Sequence, residues 1–172
     1  VFLGKAHAMK YITQDGSGWD HRPYWQYLES VGRLMPAALL GFAANPHNHD
    51  LDHPNSLHDA WLHSWTIKEE FAQDIGKRRR VDIECCLLGP RHDRLIYLDY
   101  KRVTSHKILN TDAGKAYMEA RGHGDLIVHE VIALENGSFS HELLFESCHT
   151  FVVEFIDFET QVQILPTTHK LQ

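Results

Sequence analysis

The sequence predicts an α+β domain: an N-terminal helix or helix pair packed on a curved antiparallel β-meander of about five or six strands. Two observations point there. Apolar spacing follows a helical period up to about residue 44 and then turns toward alternation from residue 57. Two later stretches, "VDIECCLLGPRHDRLIYLDY" and "DLIVHEVIALENGSFSHELLFE", each read as strand, turn, strand. Helices followed by a run of strands, rather than alternating with them, indicate α+β. The expected organisation is a loose tail over residues 1–18, one domain over 19–166 and a short C-terminal tail over 167–172.

The elements follow in order. Residues 1–18 end in "QDGSG" and carry at most one short strand near Tyr11. "HRPYWQYLESVGRLM" sets Tyr24, Trp25, Leu28, Val31, Leu34 and Met35 on one helical stripe, with Asp20 as N-cap and Pro23 in the first turn. Pro36 ends that helix or starts a second, "PAALLGFAA". "NPHNHDLDHPNS" is a polar loop. "LHDAWLHSWTI" alternates as a strand, with Trp61, His63 and Trp65 on one face, and "KEEFAQDIGKRRR" continues as a loop or strand extension. In the first hairpin, matching the apolar faces sets Leu87 opposite Ile96, Cys85 opposite Leu98 and Ile83 opposite Tyr100. The tip is then Pro90 to Asp93. "NTDAGKAYMEARG" holds a short helix capped by Asn110 or Thr111 and ended by Gly122. In the second hairpin, a two-residue Asn136-Gly137 turn pairs Leu134 with Phe139, Ile132 with His141 and Glu130 with Leu143. "TFVVEFIDFETQVQI" is a last strand, pairing back through "SCH".

Composition narrows the function. The 172 residues carry 17 Lys and Arg against 23 Asp and Glu, a formal net charge of −6 with His neutral. That balance disfavours nucleic acid and suits a basic protein partner. No apolar run approaches the roughly 20 residues of a bilayer span, and "VFLGKAHAMK" lacks the apolar core of a signal peptide. Three cysteines without a CxxC pair read as reduced thiols in a cytoplasmic setting. The chain start reads either as Val1, an alternative start codon, or as Met9.

Five histidines are followed directly by an acid, in the pairs 49–50, 58–59, 92–93, 129–130 and 141–142. Composition alone predicts roughly two. On a strand, neighbouring side chains diverge, so such a dipeptide cannot grip one metal with both. The second hairpin is more informative. In the register above, Glu130 and His141 are polar intruders on an apolar face and lie diagonally adjacent, and Asp157 faces His141 in one register of the last strand. The structural reading is a satisfied core ion pair; the functional one is an acid/base pair in the mouth of a barrel, with Glu130, His141 and Asp157 as catalytic candidates. His58, Asp59, His92, Asp93, His123 and Asp125 are binding candidates on turns and strand ends, weighed against ordinary turn chemistry such as Asp93 bonding its own turn backbone. The two glycines around His123 allow a ligand loop. His47, His49 and His53 are candidate metal ligands in a tract whose ordinary reading is a solvated loop. P-loop, GxGxxG, GxSxG, HExxH and EF-hand motifs are absent.

"SLHDAWL", "LLGPRHDRLIYLDY", "GHGDLIVHE" and "SHELLFES" together resemble small bacterial β-rich proteins, similar in style to immunity proteins of polymorphic toxin systems. The likeness covers roughly residues 20 to 160 and carries no functional residue onto this sequence. It implies a cytoplasmic, non-enzymatic protein-binding domain that neutralises a basic partner such as a toxin, with no cofactor. The alternative is a metal-assisted hydrolase, using zinc or another divalent metal held by His, Asp and Glu at one end of the sheet.

Overall fold

In the computed structural model two four-stranded antiparallel sheets face each other, and the N-terminal helices close one side. The structure describes residues 9–16, 18–72 and 78–166. Strands β1 (Thr13–Asp15) and β2 (Gly18–Asp20) form a small hairpin, followed by α1 (Arg22–Val31) and α2 (Ala37–Ala43). Then come β3 (Trp61–Ala72), β4 (Arg78–Leu88), β5 (Arg94–Lys101), β6 (Ser105–Leu109), α3 (Asp112–Arg121), β7 (Leu126–Ala133), β8 (Phe139–Phe145), β9 (Thr150–Phe155) and β10 (Asp157–Ile164). The first sheet has the order β10-β5-β4-β3 and the second β6-β9-β8-β7. The α+β class stands, but the described residues hold ten strands rather than five or six, and one helix lies mid-chain.

The extra strands have local causes. "TFVVEFIDFETQVQI" splits at Ile156, so β9 pairs with β8 while β10 crosses to pair with β5. One chain segment thus serves both sheets. β6 is an exposed edge strand without alternating burial, which hides it from pattern reading. Residues 9–16 do not form a tail: Met9 and Ile12 lie in the core and β1 pairs with β2. Residues 1–8 and 167–172 fall outside the described residues.

Packing follows the first hairpin as expected. Ile83 faces Tyr100, Cys85 faces Leu98 and Leu87 faces Ile96, all buried. Across the core Trp65 meets Phe151 at 4.9 Å and Tyr100 meets Phe155 at 5.1 Å between ring centroids. A bulge in β3 between Leu62 and Ser64 corrects the expected parity. Leu62 and Trp65 point inward with Leu87 and Cys85, whereas Trp61 pairs with Leu88 on the other face and is 47% exposed.

Helix α1 has His21 rather than the expected Asp20 at its N-cap; the Asp20 carboxylate, one residue earlier, accepts from the Arg22 backbone at 3.0 Å. It buries Tyr24 and Leu28, while Leu34 beyond it is exposed. The hydroxyls of Tyr24 and Tyr27 accept the outward N–H groups of Val131 and Ala133 at 2.8 and 2.7 Å. The helix therefore satisfies the edge of β7. Helix α2 begins after Pro36, and its Phe42 packs on Phe158 at 4.8 Å. Thr111 caps α3 by accepting from the Gly114 N–H at 3.1 Å, and Gly122 ends it at φ 69°. All three cysteines are unbridged and buried, and burial pushes the Cys85 thiol up. No described helix is long and apolar enough to cross a membrane.

Candidate functional site

The second hairpin closes by one residue more than the sequence suggests. Leu134 donates to the Ser138 carbonyl at 2.8 Å, leaving Glu135, Asn136 and Gly137 as a three-residue loop with Gly137 at φ 81°. Ala133 then pairs with Phe139, Val131 with His141 and Glu130 with Glu142. A one-residue slip exchanges the faces. Glu130 and His141 therefore lie on opposite sides of the sheet, which corrects their expected adjacency. Asp157 is also elsewhere: it is half-exposed on β10 and bonds the Arg102 guanidinium at 2.6 Å. The three catalytic candidates do not meet.

Each has its own role in the fold. The buried Glu130 carboxylate accepts three consecutive backbone N–H groups, from Lys10, from Tyr11 at 3.0 Å and from Ile12 at 3.1 Å. Burial pushes its pKa up, and these three donors work against that push. Glu130 thereby fastens the N-terminal segment to β7.

His141 enters a chain of rings on the inner face. The Tyr100 hydroxyl is 2.8 Å from His141 Nδ1, and His141 Nε2 is 3.1 Å from His129 Nδ1. Tyr100 has no other hydrogen-bond acceptor among the described residues, so its O–H donates to His141. His141 then carries its proton on Nε2 and donates to His129, whose own proton must sit on Nε2. That Nε2 is buried with no hydrogen-bond partner among the described residues; the Asn48 backbone favours the protonated ring, against the larger effect of burial. His49 stacks on His129 at 4.2 Å, nearly parallel, and His21 meets His49 at 4.9 Å. Burial pushes His129 and His49 well down and His141 down to about 3, so these imidazoles are neutral.

A cleft of about 490 Å³ opens at one end of the two sheets. There Trp61 bridges to Asp125, Leu126 exchanges backbone bonds with Asp59 and Ala60 at 2.9 Å, and the Glu146 N–H donates to the Asp125 carbonyl at 2.8 Å. These contacts join the start of β3 to the "GHGD" loop and the β8–β9 turn. Trp61 Nε1 donates to Asp125 Oδ1, and the Tyr117 hydroxyl of α3 donates to Glu146 Oε2. Gly124, at φ 71°, makes this packing possible. A Cβ there would meet Glu146 and the Tyr117 hydroxyl at 2.7 and 2.8 Å. His92 lies against Trp61 at 4.2 Å, and Arg121 completes the wall. Asp59, His92 and Cys148, around this end, all adopt positive φ without being glycine.

The predicted binding residues divide. His123 and Asp125 line the cleft, whereas His92 does not and only packs on the Trp61 ring. The His123 ring lies among Phe145, Phe151 and His149, its Nδ1 buried without a partner, and burial pushes its pKa down. Asp93 holds the Arg94 guanidinium at 2.7 and 2.9 Å rather than serving chiefly its own turn. His58 and Asp59 precede β3 in a turn, not on the strand. The left-handed Asp59 brings its carboxylate within 2.8 Å of His58 Nδ1, so these two side chains converge where strand geometry would separate them. His47 and His53 stack on each other at 4.1 Å, whereas His49 turns away to His129. Among the described residues no three His, Cys, Asp or Glu side chains group as a metal site. Tyr117, Arg121 and Glu146 were not indicated by any local pattern; tertiary pairing brings them to the "GHGD" loop.

Comparisons with protein-family models, with curated proteins and with solved structures found no match to this chain.

Proposed function

We propose that the chain is a non-enzymatic protein-binding domain of the immunity type, and that its cleft receives a cationic side chain of a basic partner. One observation carries this reading: the carboxylates of Asp125 and Glu146 stand in a cleft walled by the rings of Trp61 and Tyr117. Trp61 and Tyr117 hold one oxygen of each carboxylate. The second oxygens, Asp125 Oδ2 and Glu146 Oε1, have no protein donor among the described residues. Oriented carboxylates beside an aromatic face suit a guanidinium or ammonium group through charge-assisted hydrogen bonds and cation–π contact. Arg121 offsets one of the two negative charges and disfavours a purely electrostatic, unselective site. The overall charge of −6 adds long-range attraction for a basic partner.

The test is a titration of the protein with arginine-rich, lysine-rich and acidic peptides of equal length, followed by tryptophan fluorescence. The basic peptides are expected to perturb the emission, and Asp125→Asn with Glu146→Gln to weaken their binding at least about tenfold. Equal binding of the acidic peptide, or no effect of the double substitution, would sink the reading.

A further inference from the structure

A second surface lies away from the cleft, on the outer edge of β3. Apart from the single bridge at Trp61, β4 is the only strand that pairs with this 12-residue strand among the described residues. No proline or glycine interrupts it. Its outer backbone groups therefore form an open template for another strand. Two large apolar side chains stand out on it, Ile67 at 50% and Phe71 at 68% exposure. They share one face of the strand, while Lys68 and Glu70 share the other.

We propose that this edge pairs with itself: a second copy of the chain adds antiparallel to β3 across a two-fold axis at Glu69. In a sheet continued across such an axis, facing residues must lie on the same face, so only registers centred on a residue are allowed. Centring on Ile67 sets Glu69 against Trp65. Centring on Lys68 sets Ile67 against Glu69, and centring on Glu70 sets Phe71 against Glu69. Of the registers centred on residues 67 to 70, the one centred on Glu69 alone matches both faces. It sets Ile67 opposite the partner's Phe71 and Lys68 opposite the partner's Glu70, each pair occurring twice. The unfavourable pair is Glu69 with its own copy. Each Glu69 already has a cation, Arg79 at 3.3 Å. The side-chain pairs supply the specificity, and the backbone ladder supplies most of the attraction.

Analytical ultracentrifugation of the full chain over a concentration series tests this pairing through two charge reversals. The wild type is expected to show a monomer–dimer equilibrium. Lys68→Glu or Glu70→Lys alone sets like charges opposite each other and should weaken it at least about tenfold. Mixing K68E and E70K one to one restores opposite charges in both pairs and should restore dimers. The K68E/E70K double variant should dimerise by itself for the same reason, and it serves as the folded reference if either single variant fails to fold. A wild type that stays monomeric to about 1 mM overturns the proposal. So does a dimer that neither single reversal weakens, or a mixture that does not recover.

Discussion

The Tyr100 hydroxyl and His141 Nδ1 lie 2.8 Å apart across the core, joining β5 of one sheet to β8 of the other. Both side chains are fully buried. The contact gives the two sheets a polar point of registry, and it orders the protons of His141 and His129 behind it. Tyr100→Phe keeps the ring and removes the donor, leaving His141 Nδ1 with no protein partner. Removing one member of a buried hydrogen bond costs about 1–3 kcal/mol. Urea denaturation should show that loss with an unchanged m-value. A loss below about 0.5 kcal/mol would mean the bond contributes nothing beyond packing.

Acid should unfold the protein through its neutral histidines. Burial depresses the folded-state pKa of His129 and His141, the latter to about 3. Below the ordinary value of 6.5 the unfolded chain therefore binds protons that the folded chain refuses. The stability these groups contribute is complete above pH 6.5 and is lost as pH falls toward the depressed values. By pH 5 the fully buried His141 ring costs about 2 kcal/mol, and His129 and His49 act in the same direction. Glu130 has the opposite sign: its raised pKa makes the fold less stable as pH climbs from 4.5 through the raised value. It is one group against three. Denaturation midpoints at pH 7.5, 6 and 5 should fall steadily, and a midpoint flat across that range would contradict the neutral cluster.

The Glu130 carboxylate should be the anchor of the N-terminal segment. Three backbone N–H groups point at it, so an acceptor is needed at both oxygens. Glu130→Gln replaces one oxygen by an amide donor that faces another donor. A global loss of about 2–3 kcal/mol is expected. Hydrogen exchange supplies the specific readout. The amides of Tyr11 and Ile12 should exchange faster in the variant under conditions where β4 and β5 stay protected. Unchanged protection at Tyr11 and Ile12 would show that the segment is held by the burial of Met9 and Ile12 alone.

How far the sequence could be read depends on which faces are buried. The first hairpin is legible because one face is apolar without interruption, while the other mixes Asp82, Glu84 and Asp99 with Cys86, Leu88 and Tyr97, so Cys85 opposite Leu98 is the register that buries one side. In the second hairpin both faces are buried. Val131 and Leu143 lie on one face, Val128 and Leu144 on the other, all at 3% exposure or less. Alternation then says nothing about register, and the choice between a two- and a three-residue loop decides which way Glu130 points. The bulge at His63 and the corner at Ile156 are single-residue events inside continuous apolar patterns. At the cleft, the glycines around His123 announce an unusual backbone. Glu146 and Tyr117 arrive from a turn and a helix, and only tertiary pairing places them beside Asp125.

Gly124 links that local signal to the cleft and gives a direct test of its architecture. At φ 71° an alanine is strained, and its Cβ would press on Glu146 and the Tyr117 hydroxyl, both closer than 3 Å. Glu146 is the side chain that must move, which breaks its bond to Tyr117 and withdraws one of the two carboxylates from the cleft. Gly124→Ala should therefore destabilise the protein by about 1–3 kcal/mol. It should also weaken binding of arginine-rich peptide, with Trp61 and Asp125 chemically intact. Gly137→Ala is the control. It sits at a similar positive φ, with nothing within 4 Å of the added Cβ, and belongs to the β7–β8 loop rather than the cleft. A comparable backbone cost with unchanged peptide binding is expected there. Equal loss of binding in both variants would show that peptide affinity follows overall stability and not the position of Glu146.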